Sequence, residues 1–205
     1  MENLENENIL NNDPVELPAK KEGGLLAYLK DVVVLITIVL LVFSFLFRFV
    51  IVSGPSMKNT LIDGDWLILL SNVFYKDPKH GDIVVVSKNS YNNGTPIIKR
   101  VIAKEGQKVD INFATGTVYV DNEPLNEPYT LTPTNQFEGV SFPLIVDDGC
   151  VFVLGDNRNE SKDSRSSEIG LIDEREILGK AIFILIPGNE GGELDRDFSR
   201  IGVIG

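Results

Sequence analysis

A long apolar run near the start of the chain constrains the fold more than any other feature. It reads VVVLITIVLLVFSFLFRFVIV, occupies residues 32–52, and contains one charged residue, Arg48, close to its end. As a helix that rises about 1.5 Å per residue, the run covers about 31 Å, the thickness of a hydrocarbon core. We therefore predict a transmembrane anchor at residues 31–52. A cleaved signal peptide is the alternative, but its apolar region is only about 7 to 15 residues long.

The segment before the anchor, residues 1–30, is polar, rich in Asn and Glu, and interrupted by Pro and Gly. Such a composition favours a disordered tail. Lys20, Lys21 and Lys30 precede the apolar run, whereas few basic residues follow it closely. Because basic flanks stay in the cytoplasm, we expect a single-pass protein of the cell membrane, in contact with lipid, with a cytoplasmic N-terminus. Residues 53–205 then form an extracytoplasmic domain.

The pattern of the remaining chain is that of strands. Short β-branched runs bounded by turn residues recur, namely DWLILLS, GDIVVVS, PIIKRVIA, QKVDIN, GTVYVD, GCVFVLG and GKAIFILIPG. Beyond the anchor, helical periodicity is suggested only at residues 166–180, and turn residues between about 112 and 148 predict a loop-rich insertion. The sequence thus predicts a mainly β domain on a single N-terminal transmembrane helix.

Charge and residue counts exclude several classes of function. The formal net charge of −11 argues against nucleic acid as a partner, because phosphate binding requires clustered basic residues. One Cys, Cys150, cannot form an intrachain disulfide, and we interpret it as a small buried hydrophobe. One His, His80, lies in the turn KDPKHGD, where a solvated loop residue is the simplest interpretation. Metal sites that need several His or Cys ligands are thereby excluded, and no cofactor is expected.

A serine, Ser56, stands in the stretch VSGPSMKNTL directly after the apolar run. A Ser-His-Asp triad would depend on His80 alone, so lysine is the other available base for this hydroxyl. A lysine serves as a base near neutral pH only if burial lowers its pKa of about 10.4 by about 3 units. Lys99 lies inside the apolar strand pattern PIIKRVIA and is the candidate, although most strand lysines point to solvent.

Taken together, these stretches resemble the bacterial type I signal peptidases. SGPSMKNTL, GDIVVV, IIKRVIAKEGQKV and GDNRNESKDSR follow the motif order of that family across nearly the whole outer domain. The resemblance implies a signal-peptidase-like β fold and a serine endopeptidase that removes signal peptides from exported preproteins. It implies that Ser56 is the nucleophile, Lys99 the general base, and Ser161 a hydroxyl that orients the Lys99 amine. The implied polar scaffold beside them consists of Asp163, Arg165, Arg100 and Asp156.

The sequence departs from the family pattern at three places. Asn59 stands where Pro is usual before Thr-Leu, and Ala103, Lys104 and Glu105 replace a Gly-Leu-Pro-like run. Gly54 stands where some members carry a serine thought to help the oxyanion hole, which leaves the second donor to the oxyanion open beside the Ser56 backbone N–H.

Five apolar residues flank the two implied catalytic residues and are predicted to line two shallow substrate pockets. These are Val52, Met57, Leu61, Ile97 and Ile98. In a peptide bound as an added strand, alternate side chains face the same way, so such pockets would accept Ala one and three positions before the cut.

Three other classes compete with this interpretation. A self-cleaving Ser/Lys transcriptional regulator needs a basic DNA-binding domain and no membrane span, and this chain has the reverse. A penicillin-recognising enzyme needs Ser-x-x-Lys and Lys-Thr-Gly, and neither pattern occurs. A non-catalytic membrane-tethered adaptor stays open, because sequence alone does not show that Ser56 and Lys99 meet.

Overall fold

A single α-helix, α1, opens the part of the chain that the structure describes. The computed structural model describes residues 24–189 and 196–204. Helix α1 comprises Leu25–Leu46, none of its residues is buried, and its mean hydropathy of 2.5 makes it apolar and long enough to cross a membrane. The predicted tail falls largely on residues 1–23, outside the described residues, and the helix already includes residues 25–30, which we had assigned to that tail.

In the described residues, twelve strands follow the helix and confirm the predicted mainly β class. Their bounds are β1 Phe47–Ile51, β2 Trp66–Ser71, β3 Ile83–Val86, β4 Ile97–Lys104, β5 Lys108–Asn112, β6 Thr117–Val120, β7 Glu123–Pro124, β8 Leu144–Ile145, β9 Cys150–Leu154, β10 Ile172–Asp173, β11 Ile177–Ile186 and β12 Gly202–Val203. Each of the seven predicted strand runs overlaps one of these strands. β-branched side chains account for this agreement, because they pack well on a pleated, half-buried surface.

The end of the apolar run is a strand and not helix. The run extends to residue 52, but α1 ends at Leu46 and β1 pairs antiparallel with β2, from Phe47 opposite Leu70 to Ile51 opposite Trp66. Val50 is half-buried and packs on a core cluster, whereas Phe49 stays exposed. Hydrophobicity alone does not distinguish a helix from a strand, and here a partner strand decides the conformation.

The larger sheet carries the core of the domain. Its strands lie in the order β1-β2-β11-β3-β4-β9-β10, with β12 paired to β11. β4 pairs with β3 and β9, and its residues 98–103 are buried on both faces of the sheet. Burial on both faces explains why these side chains are apolar apart from Lys99 and Arg100.

Three of the four strands of a smaller sheet lie within the segment that was predicted to be a loop-rich insertion. Its strand order is β7-β6-β5-β8, so residues 112–148 contribute three short strands as well as loops. Val109, Val118 and Val120 from this sheet pack with Phe152 of β9 in one apolar cluster. The second sheet is therefore held to the first by a shared core.

The predicted helix at residues 166–180 is wrong. β10, a single 3-10 turn at Glu174–Glu176 and the start of β11 occupy this stretch. The Asp173 side chain accepts from the Arg175 N–H, and the Glu176 side chain accepts from the Asp173 N–H. These two bonds form a capping box on one short 3-10 turn, which does not continue as an α-helix. The apolar residues that mimic a helical repeat, Ile172 and Ile177, are instead buried on two strands.

Candidate active site

Ser56 lies on a compact turn that connects β1 to β2. The Lys58 N–H donates to the Pro55 carbonyl (2.9 Å) and the Leu61 N–H to the Met57 carbonyl (2.9 Å), so the chain makes one tight helical turn after the serine. Gly54 has a φ of +88°, a conformation that glycine adopts without steric cost. This turn presents the half-buried Ser56 towards β4.

Lys99 is at the centre of β4, and its amine meets the serine. Lys99 Nζ lies 2.8 Å from Ser56 Oγ and donates to the Ile98 carbonyl at 2.9 Å. Only 3% of Lys99 is exposed. Burial lowers the pKa of Lys99 to about 8, against the opposing effect of the Asp163 and Asp156 carboxylates, because a cation loses hydration in the interior. An amine of this kind exists partly in its neutral, basic form near neutral pH.

The loop that follows β9 fixes the backbone around Ser56. The Asn157 N–H donates to the Ser56 carbonyl (3.0 Å), and the Asn157 side-chain amide donates to the Pro55 carbonyl (3.3 Å). Gly155 passes so close that a Cβ there would lie 2.5 Å from the Ser56 carbonyl oxygen and 2.2 Å from Ser161 Oγ. A glycine is therefore required where the two loops cross.

Ser161, Asp163 and Arg165 form one buried group beside this crossing. Arg165 Nε donates to Asp163 Oδ1 (2.8 Å) and Arg165 Nη2 to Asp163 Oδ2 (2.9 Å), with both side chains 0% exposed. We expected the Ser161 hydroxyl to orient the Lys99 amine, but it donates to Asp163 Oδ2 at 2.8 Å. In this structure Ser161 is thus linked to the carboxylate whose charge acts on Lys99 and not to the amine itself.

Arg100 and Asp156 form a second buried pair. Arg100 Nε and Nη2 donate to the two carboxylate oxygens of Asp156 at 2.9 and 2.7 Å. Thr60, on the turn that carries Ser56, also donates its hydroxyl to Asp156. The pair therefore connects β4, the loop after β9 and the serine turn.

A narrow cleft of about 90 Å³ opens beside Ser56 and Lys99. Four of the five predicted pocket residues line it, namely Val52, Met57, Ile97 and Ile98. The fifth, Leu61, is fully buried in the core cluster below and does not line this cleft. Ser53 also lines the cleft, whereas the Gly54 N–H is engaged by Asp63 Oδ1 at 2.8 Å.

Sequence reasoning missed several residues that contact this group. Asn157 and Arg158 lie inside the quoted stretch GDNRNESKDSR, so their motif was the signal that pointed to them. Thr60 follows Ser56 closely in SGPSMKNTL. Glu127 contacts Arg158, and Tyr129 contacts Arg100. Both lie in the 112–148 segment, whose turn residues predicted only a loop-rich insertion.

The departure at Asn59 has a structural reason. Asn59 has a φ of +93°, which proline cannot adopt because its ring fixes φ near −65°. Its side-chain amide reaches the Tyr129 carbonyl at 3.4 Å. Asn is among the residues that tolerate a positive φ best, so Asn suits position 59 of the turn that carries Ser56.

The single His and the single Cys lie apart from these contacts. His80 is exposed, and its Nδ1 is 2.9 Å from the Ile102 carbonyl oxygen. Cys150 is partly buried on β9 and packs on the apolar cluster between the sheets. Burial raises the pKa of the Cys150 thiol, which keeps it protonated.

Comparison with known protein families places this geometry in context. The family described as "Signal peptidase, peptidase S26" matches residues 25–186, which include the helix and strands β1 to β11. The chain belongs to the peptidase S26 family. It is therefore a serine endopeptidase of the signal peptidase type, which cleaves signal peptides from preproteins.

Individual bacterial members of the S26 family are similar over most of their length. The chain is 33% identical to signal peptidase I of Bacillus licheniformis, over 85% of this chain and 96% of that protein. It is 36% identical to signal peptidase I T of Bacillus subtilis (83% and 90%) and 37% identical to probable signal peptidase I-1 of Synechocystis (76% and 82%). A crystal structure of signal peptidase I from Enterococcus faecalis aligns with a TM-score of 0.42 at 29% identity, over 51% of this chain and 97% of the other.

Gly155→Ala is expected to lower the rate of preprotein cleavage by about 100-fold or more, because a shift of about 1 Å in reacting groups has that effect. The added methyl group would displace the Ser56 carbonyl or the Ser161 side chain. Gly202→Ala is the matched control, since a Cβ there meets nothing within 4 Å. Equal rates for the two purified variants, measured by gel assay of a preprotein, would contradict the close approach at Gly155.

Proposed function

We propose that this peptidase cleaves signal peptides with a Ser56/Lys99 dyad while α1 anchors it in the membrane. The observation that carries the proposal is the 2.8 Å separation between Lys99 Nζ and Ser56 Oγ, together with an amine pKa of about 8. A buried lysine against a serine is costly unless its neutral form is used, because desolvation penalises the charge.

The chemistry follows from a neutral amine next to a hydroxyl. Ser56 Oγ attacks the scissile carbonyl while its proton moves to Lys99 Nζ, which gives a tetrahedral oxyanion and a lysine ammonium. The ammonium then donates its proton to the leaving amine as the C–N bond breaks, and an ester to Ser56 forms. Lys99, neutral again, takes a proton from water as the water oxygen attacks the ester carbonyl. The bond from that carbonyl carbon to Ser56 Oγ then breaks, Oγ takes the proton back from Lys99, and the free enzyme is restored.

The oxyanion requires donors that are held in place. The Ser56 N–H is one candidate, and Ser53, which lines the same cleft, offers a second donor. The Gly54 N–H is less suited, because it already donates to Asp63 Oδ1. In this proposal Asp63 fixes the course of the turn while Ser53 and Ser56 face the substrate.

The two buried ion pairs serve as a scaffold for the dyad. Asp163, paired with Arg165, and Asp156, paired with Arg100, both act on the charge of the Lys99 amine. Neutralised by their arginines, these carboxylates leave burial as the dominant influence on Lys99. Ser161 contributes through its hydrogen bond to Asp163.

The cleft suits a small side chain. Val52, Met57, Ile97 and Ile98 supply apolar walls, and a volume of about 90 Å³ leaves little room for a large residue. In an extended substrate the side chains one and three positions before the cut face the same side. We propose that steric exclusion at this cleft selects Ala-x-Ala-like cleavage sites in exported preproteins.

The anchor and its orientation complete the proposal. Lys20, Lys21 and Lys30 precede the most apolar part of the chain, which favours a cytoplasmic N-terminus and an extracytoplasmic β domain. A signal peptide is itself held in the bilayer, so attachment of enzyme and substrate to one membrane raises their effective concentration. Contact with lipid through α1 follows from its exposed apolar side chains.

Ser56→Ala and Lys99→Ala are each expected to abolish processing, because nucleophile and base act as one unit. Lys99→Arg is expected to fail as well, since a guanidinium stays protonated. Cleavage of a model preprotein by the full-length protein in detergent measures this, and circular dichroism confirms that the variants fold. His80→Ala is the matched control and should keep full activity. Near wild-type turnover by Lys99→Ala would exclude the dyad.

The rate of cleavage is expected to rise with pH through a midpoint near the Lys99 pKa of about 8. The rate rises with pH because the reaction requires the neutral form of Lys99. Below its pKa the amine is an ammonium and cannot accept the serine proton, and above it the amine is neutral. Each unit below the midpoint should lower kcat/KM by about tenfold. A pH-rate profile that is flat, or that rises only near the ordinary lysine value of 10.5, would refute this.

Ile98→Ala is expected to enlarge the cleft and permit cleavage after residues larger than Ala. Ile98 adjoins Lys99 and is 8% exposed, so removing its side chain opens space beside the reacting groups. Mass spectrometry of the released product reports the cleavage position. Ile111→Ala, in the cluster between the two sheets, is the control for a core truncation away from the cleft. An unchanged single cleavage site in Ile98→Ala would show that the pocket lies elsewhere.

A further inference from the structure

The 112–148 segment reaches all three buried arginines near the dyad. Glu127 pairs with Arg158, whose Nη1 donates to Glu127 Oε2 at 2.8 Å. Glu138 Oε1 lies 3.7 Å from Arg165 Nη2. The arginines are at most 2% exposed, so each relies on protein partners for solvation.

Tyr129 covers the third of these arginines. The Arg100 guanidinium carbon is 4.0 Å from the centroid of the Tyr129 ring, within the range of a cation–π contact. The Tyr129 hydroxyl donates to Glu127 Oε1 at 3.0 Å, and the Tyr129 carbonyl accepts from the Asn59 side chain. Burial and the adjacent Glu127 carboxylate raise the pKa of Tyr129 above its ordinary range, so the hydroxyl stays a donor.

Glu127 ties this ring to the loop after β9. Its two carboxylate oxygens accept from Arg158, which also donates to the Gly155 carbonyl at 3.0 Å. The Leu131 N–H donates to the Asp156 carbonyl at 3.0 Å. Tyr129 therefore lies between two residues, Glu127 and Leu131, that are both hydrogen-bonded to the loop after β9. Its ring is thereby fixed over Arg100.

The charge that Arg100 neutralises acts on the catalytic amine. Burial lowers the pKa of Lys99, the Asp163 and Asp156 carboxylates raise it, Arg165 lowers it and Glu138 raises it. Because Asp156 is one of these groups, any loosening of its pairing with Arg100 favours the ammonium form of Lys99.

We propose that Tyr129 is a positioning residue that holds Arg100 against Asp156 and thereby favours the neutral, basic form of Lys99. The inference rests on the proposed Ser56/Lys99 chemistry. It assigns a role in catalysis to a residue of the smaller sheet's loop that does not touch the substrate. The ring excludes water from one face of the guanidinium, so the ion pair stays compact.

The test is the pH-rate profile of Tyr129→Leu, measured with the full-length protein in detergent on a model preprotein from about pH 6 to about pH 10. Without the ring, we expect the midpoint to move upward by about 0.5 pH units or more, with KM unchanged and the rate largely restored on the alkaline side. A purely structural defect would lower the rate at every pH and leave the midpoint in place.

Two variants isolate the ring. Tyr129→Phe keeps the aromatic face over Arg100 and should retain the wild-type midpoint. Tyr119→Leu removes a tyrosine on β6 of the same sheet, which pairs with Asp110 and Pro124, and should not move the midpoint. If Tyr129→Leu does not fold, 3,4,5-trifluorophenylalanine at position 129 weakens the cation–π contact without loss of shape, and its midpoint should exceed that of Tyr129→Phe.

The outcomes separate this inference from the proposed dyad. The role of Tyr129 alone is overturned if the wild-type profile rises near pH 8 and Tyr129→Leu has the same midpoint. Where Tyr129→Leu does not fold, the same conclusion follows if the fluorinated variant has the midpoint of Tyr129→Phe. Equal upward shifts in Tyr129→Phe and Tyr129→Leu would also overturn the role of the ring. Activity that survives Lys99→Ala would instead overturn the dyad.

Discussion

The burial of one lysine amine beside one serine hydroxyl is the constraint on which the rest of the domain depends. An ammonium loses its hydration inside a protein, so Lys99 can occupy the centre of β4 only if the surroundings accept a neutral amine. The centre of β4 provides such surroundings, since its residues 98–103 are buried on both faces of the sheet. The strand order places β4 between β3 and β9, which removes Lys99 from water on two sides. The serine then has to come to the lysine, and the turn after β1 brings it there.

Buried ion pairs surround this site, and their energetic role differs from that of the apolar core. Pairs such as Arg165–Asp163 gain little stability over apolar residues of the same size, because desolvation offsets their attraction. They do fix geometry, since a bidentate pair permits only a small range of orientations. Here they join β4, the serine turn, the loop after β9 and the smaller sheet. The site is thus held by directional contacts over an apolar core that supplies the stability.

The smaller sheet supports the site, although the composition of its segment predicted mainly loops. Turn residues between 112 and 148 predicted a loop-rich insertion, yet β6, β7 and β8 lie there and share an apolar cluster with β9. The cluster anchors the segment, and the segment carries Glu127 and Tyr129 to the buried arginines. In the same way a periodic apolar pattern at residues 166–180 suggested a helix, whereas Ile172 and Ile177 are buried on two different strands, β10 and β11.

The sequence by itself determined the apolar helix, the seven principal strands and the two residues whose chemistry fits a serine peptidase, because periodicity, β-branched runs and residue type are local properties. It did not determine where the helix ends, since Phe47–Ile51 continues the apolar run with one charged residue, Arg48, and only pairing with β2 makes it a strand. Nor did it determine that Ser161 bonds to Asp163, or that Tyr129 covers Arg100. Those contacts join residues far apart in the chain, and their geometry exists only once strands and loops have packed together.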